Sequence, residues 1–245
     1  MSFLGTVKKC ANAALLPFNH RIDFHTAIPQ TWWLIHHLER AGLRPRTVID
    51  IGVADGTPWI YDAWPDAKYH LVDPTPQSLP HMQRLAEKLR AEIHNVAMGD
   101  KRGNVQLNVP ATHPSDSTLF EWVDADDDKE RMTVPIVRFD EELPAPLARP
   151  ALVKIDVQGS ELMVLRGMGQ RIQEIDCIIV ETSVIATIVD GPELFEITAL
   201  MNEAGFALFD IIGILRRPLD QAVAQIDAVF VPQHSPLRRD RRWHE

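Results

Sequence analysis

Thr47-Val48-Ile49-Asp50-Ile51-Gly52-Val53-Ala54-Asp55-Gly56 is the stretch on which the reading of this chain turns. Its apolar and β-branched residues predict a buried strand over 47–51. Gly52 and Gly56 turn the chain, and Pro58 suits the first position of a helix. Further on, Tyr69-His70-Leu71-Val72 reads as a second strand that ends on an acid, Asp73. Strand, glycine turn, helix, strand and acid is how an α/β sheet holds an adenosine-type cofactor. The glycines let the backbone approach the ligand, and the acid accepts hydrogen bonds from ribose hydroxyls.

The turn departs from the dinucleotide fingerprint, which asks for glycine at its first, third and sixth positions. Here Ala54 and Thr57 stand at the last two of those places. The G-x-x-x-G spacing suits a ligand without phosphates whose amino acid part lies across the turn. S-adenosylmethionine is such a ligand. The competing reading is that Gly52 and Gly56 only make a tight turn, and that Asp73-Pro74 only opens a helix. Asp50, in an apolar context, needs partners and is expected to anchor the turn amides or the ligand's amino group.

The 245 residues allow one large α/β domain, or one domain with an appendage. A hydrophobic content of 45% is ordinary for a globular protein. The formal net charge of −9 argues against a nucleic acid partner, which needs a basic face. No apolar run reaches the ~20 residues of a membrane helix, so no membrane partner is expected. The N-terminus lacks a signal-peptide core. Two cysteines, Cys10 and Cys177, make no disulfide framework and no cysteine-based zinc site. A reducing cytoplasm fits this pattern. No residue is assigned to a metal: His36-His37 has no partner at ligand spacing, and Asp126-Asp127-Asp128 reads as a solvated run, with a bound cation as the alternative.

Residues 1–45 read as an N-terminal helical extension, with a helix from Trp32 to about Arg40 stopped by Gly42. Residues 46–245 read as the cofactor-binding domain. Within it the pattern predicts a helix over 76–90, a third strand over 93–98 and a half-exposed strand over 103–109. Residues 117–120 are expected to pair with that strand, and 134–137 reads as an edge strand because of Pro135. The βα rhythm returns with a strand over 151–157, a helix opened by Gly159-Ser160, a strand over 175–180 and a helix after Gly191-Pro192. Strands over 206–211 and 226–231 close the pattern as an antiparallel pair. The whole predicts a mainly parallel sheet covered by helices on both faces.

The second informative stretch is Val153-Lys154-Ile155-Asp156-Val157-Gln158-Gly159-Ser160-Glu161. Lys154 and Asp156 are two apart on a strand and share a face. Asp156 then emerges at the sheet's ligand edge, where an acid has no packing reason. Glu161 falls in a helix's first turn, where the helix dipole favours a carboxylate whatever the function. Glu181, at the end of the strand 175–180, points to the same edge. Asp156 and Glu181 together can bind substrate hydroxyls or a divalent cation. His113, near Ser115, Asp116 and Ser117, is a candidate base on a loop.

Taken together, Val48 to Gly56, Leu71-Val72-Asp73-Pro74, Asn95 to Asp100 and above all Leu152 to Gly167 resemble the FkbM family of S-adenosylmethionine-dependent methyltransferases. Ser115 to Leu119 and Val137 to Leu143 resemble family segments as well, and the likeness covers about residues 46–232. It implies a Rossmann-like class I methyltransferase fold with a seven-stranded, mainly parallel sheet. It also implies methyl transfer to an oxygen of a small molecule or sugar. Two departures stand out. Val53 and Ala54 replace the family's alanine and asparagine after the first glycine, and Asp73 replaces its commoner glutamate.

On this reading Asp73, with Pro74 beside it, holds the ribose. Gly52, Val53, Ala54 and Gly56, with Asp50 behind them, face the methionine part. Ala97, Met98 and Asp100 border the adenine. Asp156 is the preferred general base or orienting residue, with Lys154 as modulator and Glu181 and His113 as further candidates. The expected partner is a small-molecule or saccharide acceptor, and a homo-oligomer is compatible with the pattern. A nicotinamide-dependent oxidoreductase is the alternative enzyme, and a non-catalytic nucleoside-binding domain the alternative without chemistry.

Overall fold

The computed structural model describes residues 30–110, 114–123 and 129–244. His113 and Asp126-Asp127-Asp128 lie outside the described residues, as does most of the segment 1–45. In chain order the first elements are α1 (Gln30–Arg40), β1 (Thr47–Ile51), α2 (Pro58–Ala63), β2 (Lys68–Val72), α3 (Leu79–Ala86) and β3 (Arg90–His94). Then come β4 (Ala97–Gly99), β5 (Gly103–Pro110), β6 (Lys129–Arg138) and α4 (Phe139–Glu142). The last are β7 (Ala151–Ile155), α5 (Glu161–Gly167), β8 (Cys177–Ser183), α6 (Leu194–Glu203), β9 (Phe206–Arg216) and β10 (Val223–Pro232).

The main sheet has seven strands in the order β3-β2-β1-β7-β8-β10-β9. The first five pair in parallel. β10 runs antiparallel to both β8 and β9. This is the class I methyltransferase fold. After β3 the chain crosses back to β7 on the other side of β1, so the strand order reverses between β1 and β7. Open α/β sheets bind ligands outside the carboxyl ends of the strands at such a point.

Both faces of the sheet are covered. All five residues of β1 are buried, as a parallel strand under two helical layers requires. Ile49, Ile51, Val153 and Ile155 pack one way, against Val164 and Leu165 of α5 and Ile197 and Met201 of α6. Val48, Leu71, Leu152 and Ile179 pack the other way. There they meet Ile60 and Tyr61 of α2 and Leu34 and Leu38 of α1. α6 begins with a reciprocal capping box between Glu193 and Glu196. No helix among the described residues is long and apolar enough to cross a membrane.

Four expectations need correction. The third strand occupies 90–94 and stops there, and 97–99 belongs to a second, three-stranded sheet of order β4-β6-β5. Between them Asn95 donates its side-chain amide to the carbonyl of Asp73 at 2.7 Å, which turns the chain out of the main sheet. β6 is central in that second sheet rather than an edge. β4 pairs only with 136–138, so Pro135 has a strand neighbour on the β5 side alone, opposite Asn104. β8 runs on to Ser183, so Glu181 lies inside a strand opposite Asp227 rather than at a tip. The expected pairing of 117–120 reduces to one bridge, between Asn108 and Thr118.

Candidate functional site

A pocket opens where the carboxyl ends of β1, β2 and β7 meet the second sheet. Its floor is Ile51, Gly52, Ala54, Val72 and Asp73. Val96, Ala97, Met98 and Leu107 form an apolar wall, and Ser115, Asp116, Ser117 and Leu119 close the far side. Asp156, Val157, Gln158 and Ser160 complete it. The empty volume is about 790 Å3, part of it open to solvent, within the usual range for a small-molecule site.

The first turn is zipped to both neighbouring strands. Gly52 donates its N–H to the Val72 carbonyl at 2.8 Å, and Asp156 donates to the Ile51 carbonyl at 2.9 Å. Gly52 has φ +84°, and a Cβ there would lie 1.7 Å from the Asp156 carbonyl oxygen. Only glycine allows β1 and the end of β7 to come this close. The turn thereby fixes the cofactor floor and the Asp156 backbone together.

Asp73 organises the end of β2. Its Oδ1 accepts from Thr75 N at 2.8 Å, Thr75 Oγ1 at 2.6 Å and Ser78 Oγ at 2.5 Å. Its Oδ2 accepts from Ala54 N at 2.9 Å. A carboxylate oxygen offers about two lone pairs, so Oδ2 keeps acceptor capacity on the pocket side. Ser160 Oγ is buried on the pocket wall and has no hydrogen-bond partner. A polar ligand satisfies such a group. The remaining Asp73 capacity, the Ser160 hydroxyl and the apolar wall of Ala97 and Met98 fit a cofactor with ribose, amino acid and adenine parts.

A buried ionic group stands behind the other wall. Lys154 Nζ donates to Asp156 Oδ2 at 2.8 Å. The Gln158 amide donates to Asp156 Oδ1 at 2.9 Å and to Glu181 Oε2 at 2.8 Å. Burial pushes the Asp156 carboxyl up, but the Lys154 charge and the hydrogen bonds outweigh it and hold it below the ordinary value. Burial, then the Asp156 charge, pushes Glu181 up to about 9. Asp227, opposite it on β10, is raised by burial and then by Asp156.

Of the residues singled out in the sequence, Gly52, Ala54, Asp73, Pro74, Ala97, Met98 and Asp156 line the pocket. Asp50, Val53, Gly56, Asp100, Lys154 and Glu181 do not. Asp50 sits beneath the turn, fully buried, where its Oδ2 accepts from Tyr61 Oη at 2.5 Å. Burial raises its pKa, opposed by Lys154. Lys154 and Glu181 reach the pocket only through Asp156 and Gln158. Thr75, Gln158 and Ser160 were not anticipated. Gln158-Gly159-Ser160 stood beside Asp156, and the turn after a strand-end acid was the signal for them. The segment 115–119 is tied to that turn by Thr118 Oγ1, which donates to the Gln158 carbonyl at 2.5 Å.

Among solved structures the chain is similar to magnesium protoporphyrin IX methyltransferase from Synechocystis PCC 6803 with bound S-adenosylmethionine. That likeness has 11% identity and a TM-score of 0.44, covering 95% of this chain and 98% of the other. It is also similar to a Burkholderia thailandensis 1,6-didemethyltoxoflavin-N1-methyltransferase with bound S-adenosylhomocysteine. Here identity is 14% and the TM-score 0.40, covering 94% of this chain and 89% of the other. No match is found among curated proteins. A family model described as the methyltransferase FkbM domain matches residues 50–208, which spans the turn, Asp73, the second sheet and the Asp156 group. The chain belongs to the FkbM methyltransferase family, whose cofactor is S-adenosylmethionine.

Proposed function

We propose that this protein transfers the methyl group of S-adenosylmethionine to a hydroxyl oxygen of a small molecule or saccharide. The observation that supports this reading is Asp156, an acid on the pocket wall held by Lys154 and Gln158. When bound, the cofactor supplies a sulfonium methyl already activated for in-line attack. The chain's own residues do the rest. Asp73 Oδ2 and the Ala54 turn hold the ribose side, and Ala97 and Met98 flank the base.

Asp156 accepts the hydrogen bond of the acceptor hydroxyl and then its proton. A carboxylate below its ordinary pKa is a weak base, and here a weak base suffices. The hydroxyl proton becomes strongly acidic as its oxygen gains a carbon substituent, so proton transfer needs little driving force at that stage. Lys154 keeps Asp156 ionised and aimed. Glu181, pushed up to about 9, stays neutral near pH 7 and adds no second charge beside it. Ser115, Asp116 and Gln158 on the rim offer partners to further hydroxyls of a polyhydroxylated acceptor.

The family assignment sets aside the nicotinamide-dependent alternative. A labelled methyl donor, incubated with panels of saccharides and hydroxylated natural products, tests the rest. The expected product is a methyl ether. Asp156→Asn is expected to lower kcat about 100-fold or more, with cofactor affinity kept within about threefold of wild type. Products methylated only at nitrogen or carbon overturn the reading. So does an Asp156→Asn variant that turns over like wild type. A protein that binds the cofactor and methylates nothing across the panels favours a non-catalytic domain.

A further inference from the structure

We propose that His70, Glu92 and His94 form a binding site for one divalent transition-metal ion, with Zn2+ the best match to the ligands. The site lies on the β2–β3 edge of the main sheet, and none of the three residues lines the cofactor pocket. Parallel pairing sets His70 beside Glu92 and Val72 beside His94. Glu92 and His94 are two apart on a strand and so share a face with His70. Two imidazoles and one carboxylate are thereby delivered to one point by neighbouring strands. No spacing along the chain marks such a site, because its ligands come from two strands.

The geometry is that of ligands around a small ion. Their candidate ligand atoms all lie within 4.8 Å of one another. His70 Nδ1 stands 3.1 Å from His94 Nε2 and 3.4 Å from Glu92 Oε2. Tetrahedral ligands at ~2.0 Å from zinc are separated by about 3.3 Å. Three protein ligands leave the fourth position for water, as in open zinc sites. Glu92 Oε1 is held by Lys68 at 2.8 Å, which aims Oε2 at His70.

The surroundings of His94 supply what a ligating histidine needs. His94 Nδ1 lies 3.1 Å from Glu142 Oε1, a carboxylate brought over this face by α4. An Nδ1–H donated to Glu142 leaves the Nε2 lone pair facing the cluster. Carboxylate-oriented histidines of this kind are the rule at metal sites. His70 is fully buried, and its Nε2 has no hydrogen-bond partner. All polar contacts of that ring therefore lie on the cluster side. The charges facing the point are Glu92 and Glu142 against Lys68, with Arg171 further off. A bound dication thus faces two carboxylates nearby.

The experiment uses the full chain without a histidine tag, stripped by a chelator and desalted. Zn2+ is titrated against a chromophoric chelator, and Co2+ is followed by visible absorption. One saturable equivalent of Zn2+ is expected, together with a Co2+ spectrum of tetrahedral intensity. His94→Gln and Glu92→Gln should each weaken Zn2+ at least tenfold, and Glu142→Gln about tenfold. His81→Gln, away from the cluster, should leave the affinity unchanged. Saturating Zn2+ should raise the unfolding midpoint of the wild type and not that of His94→Gln. Glu92 has a half-exposed side chain, so Glu92→Gln reports on the site even where a histidine variant folds poorly. Zn2+ affinity that is equal in wild type and both ligand variants overturns the proposal. So does the absence of stoichiometric binding, which leaves a hydrogen-bonded histidine pair only.

Discussion

Asp73→Asn separates the two things this side chain does. Its Oδ1 accepts three donors, from Thr75 N, Thr75 Oγ1 and Ser78 Oγ. An amide nitrogen placed there faces all three, so the asparagine must keep its oxygen at that position. The NH2 then lands where Oδ2 was, opposite the Ala54 N–H at 2.9 Å and facing the pocket. One charge-assisted hydrogen bond is lost and two donors oppose each other, a cost of about 2–3 kcal/mol. For a chain of this size that lowers the unfolding midpoint by roughly 5–10 °C. The cofactor loses one charged acceptor, worth about 1.5–3 kcal/mol, or about 10–150-fold in affinity. Ser78→Ala removes one donor from Oδ1 and leaves Oδ2 as it is. It should cost about 1 kcal/mol of stability and leave cofactor affinity within about threefold. Calorimetric titration with S-adenosylhomocysteine and thermal unfolding read both effects. Asp73→Asn binding within threefold of wild type refutes the assignment of the ribose to Asp73.

Two further substitutions test the frame around the pocket. Gly52→Ala puts a Cβ 1.7 Å from the Asp156 carbonyl oxygen at φ +84°. The strain of a positive φ alone is about 1–2 kcal/mol, and the overlap adds to it. The variant is expected to lose cofactor binding and several degrees of thermal stability, and calorimetry showing a wild-type midpoint would contradict the packing. Glu161, buried at the start of α5, has its carboxyl pushed up by burial from 4.5 to about 7. Below pH 4.5 it is protonated both folded and unfolded; between 4.5 and about 7 only the unfolded chain ionises. Stability from this group is therefore lost as pH rises through that window, by about 3 kcal/mol in all. Glu161→Gln keeps an acceptor for the Gly159 N–H, which lies 3.0 Å from Oε1, and removes the loss. Urea midpoints at pH 5 and 8 should differ less in the variant, and an equal drop in both proteins refutes the account.

Most of the main sheet was legible because β1, β2, β7 and β8 are short, largely apolar runs bounded by glycines, prolines and acids, whereas β3 is not such a run and was misplaced. The second sheet was not. Val105, Leu107, Val134 and Ile136 showed the right alternation, yet nothing local says which strand pairs with which. β4 is only three residues long, and its apolar residues merged with β3 into one apparent strand. The break between them is made by Asn95 reaching back to Asp73, a contact between residues far apart in sequence. The pocket floor was legible for a related reason. Gly52, Asp73 and Asp156 each stand at a strand end, and strand ends in a parallel sheet converge on one edge. Asp73 is less simple than its position suggested, because Thr75 and Ser78 occupy one of its oxygens. The histidine–glutamate cluster was hidden because two strands contribute to it.

The acids around Lys154 are shifted in opposite directions, which singles out Asp156 for the role proposed above. Lys154 interacts with Asp50, Asp156 and Asp227, and Glu181 interacts with Asp156. One ammonium cannot balance four carboxylates at a largely buried strand end, where each uncompensated charge is costly. The closest contact decides the distribution. Lys154 Nζ lies 2.8 Å from Asp156, and Asp156 is held below its ordinary pKa while Asp50, Glu181 and Asp227 are all raised by burial. Of the four, Asp156 alone lines the pocket. The acid that lines the pocket is therefore the one held toward its charged form, while the three behind it are shifted toward the protonated form.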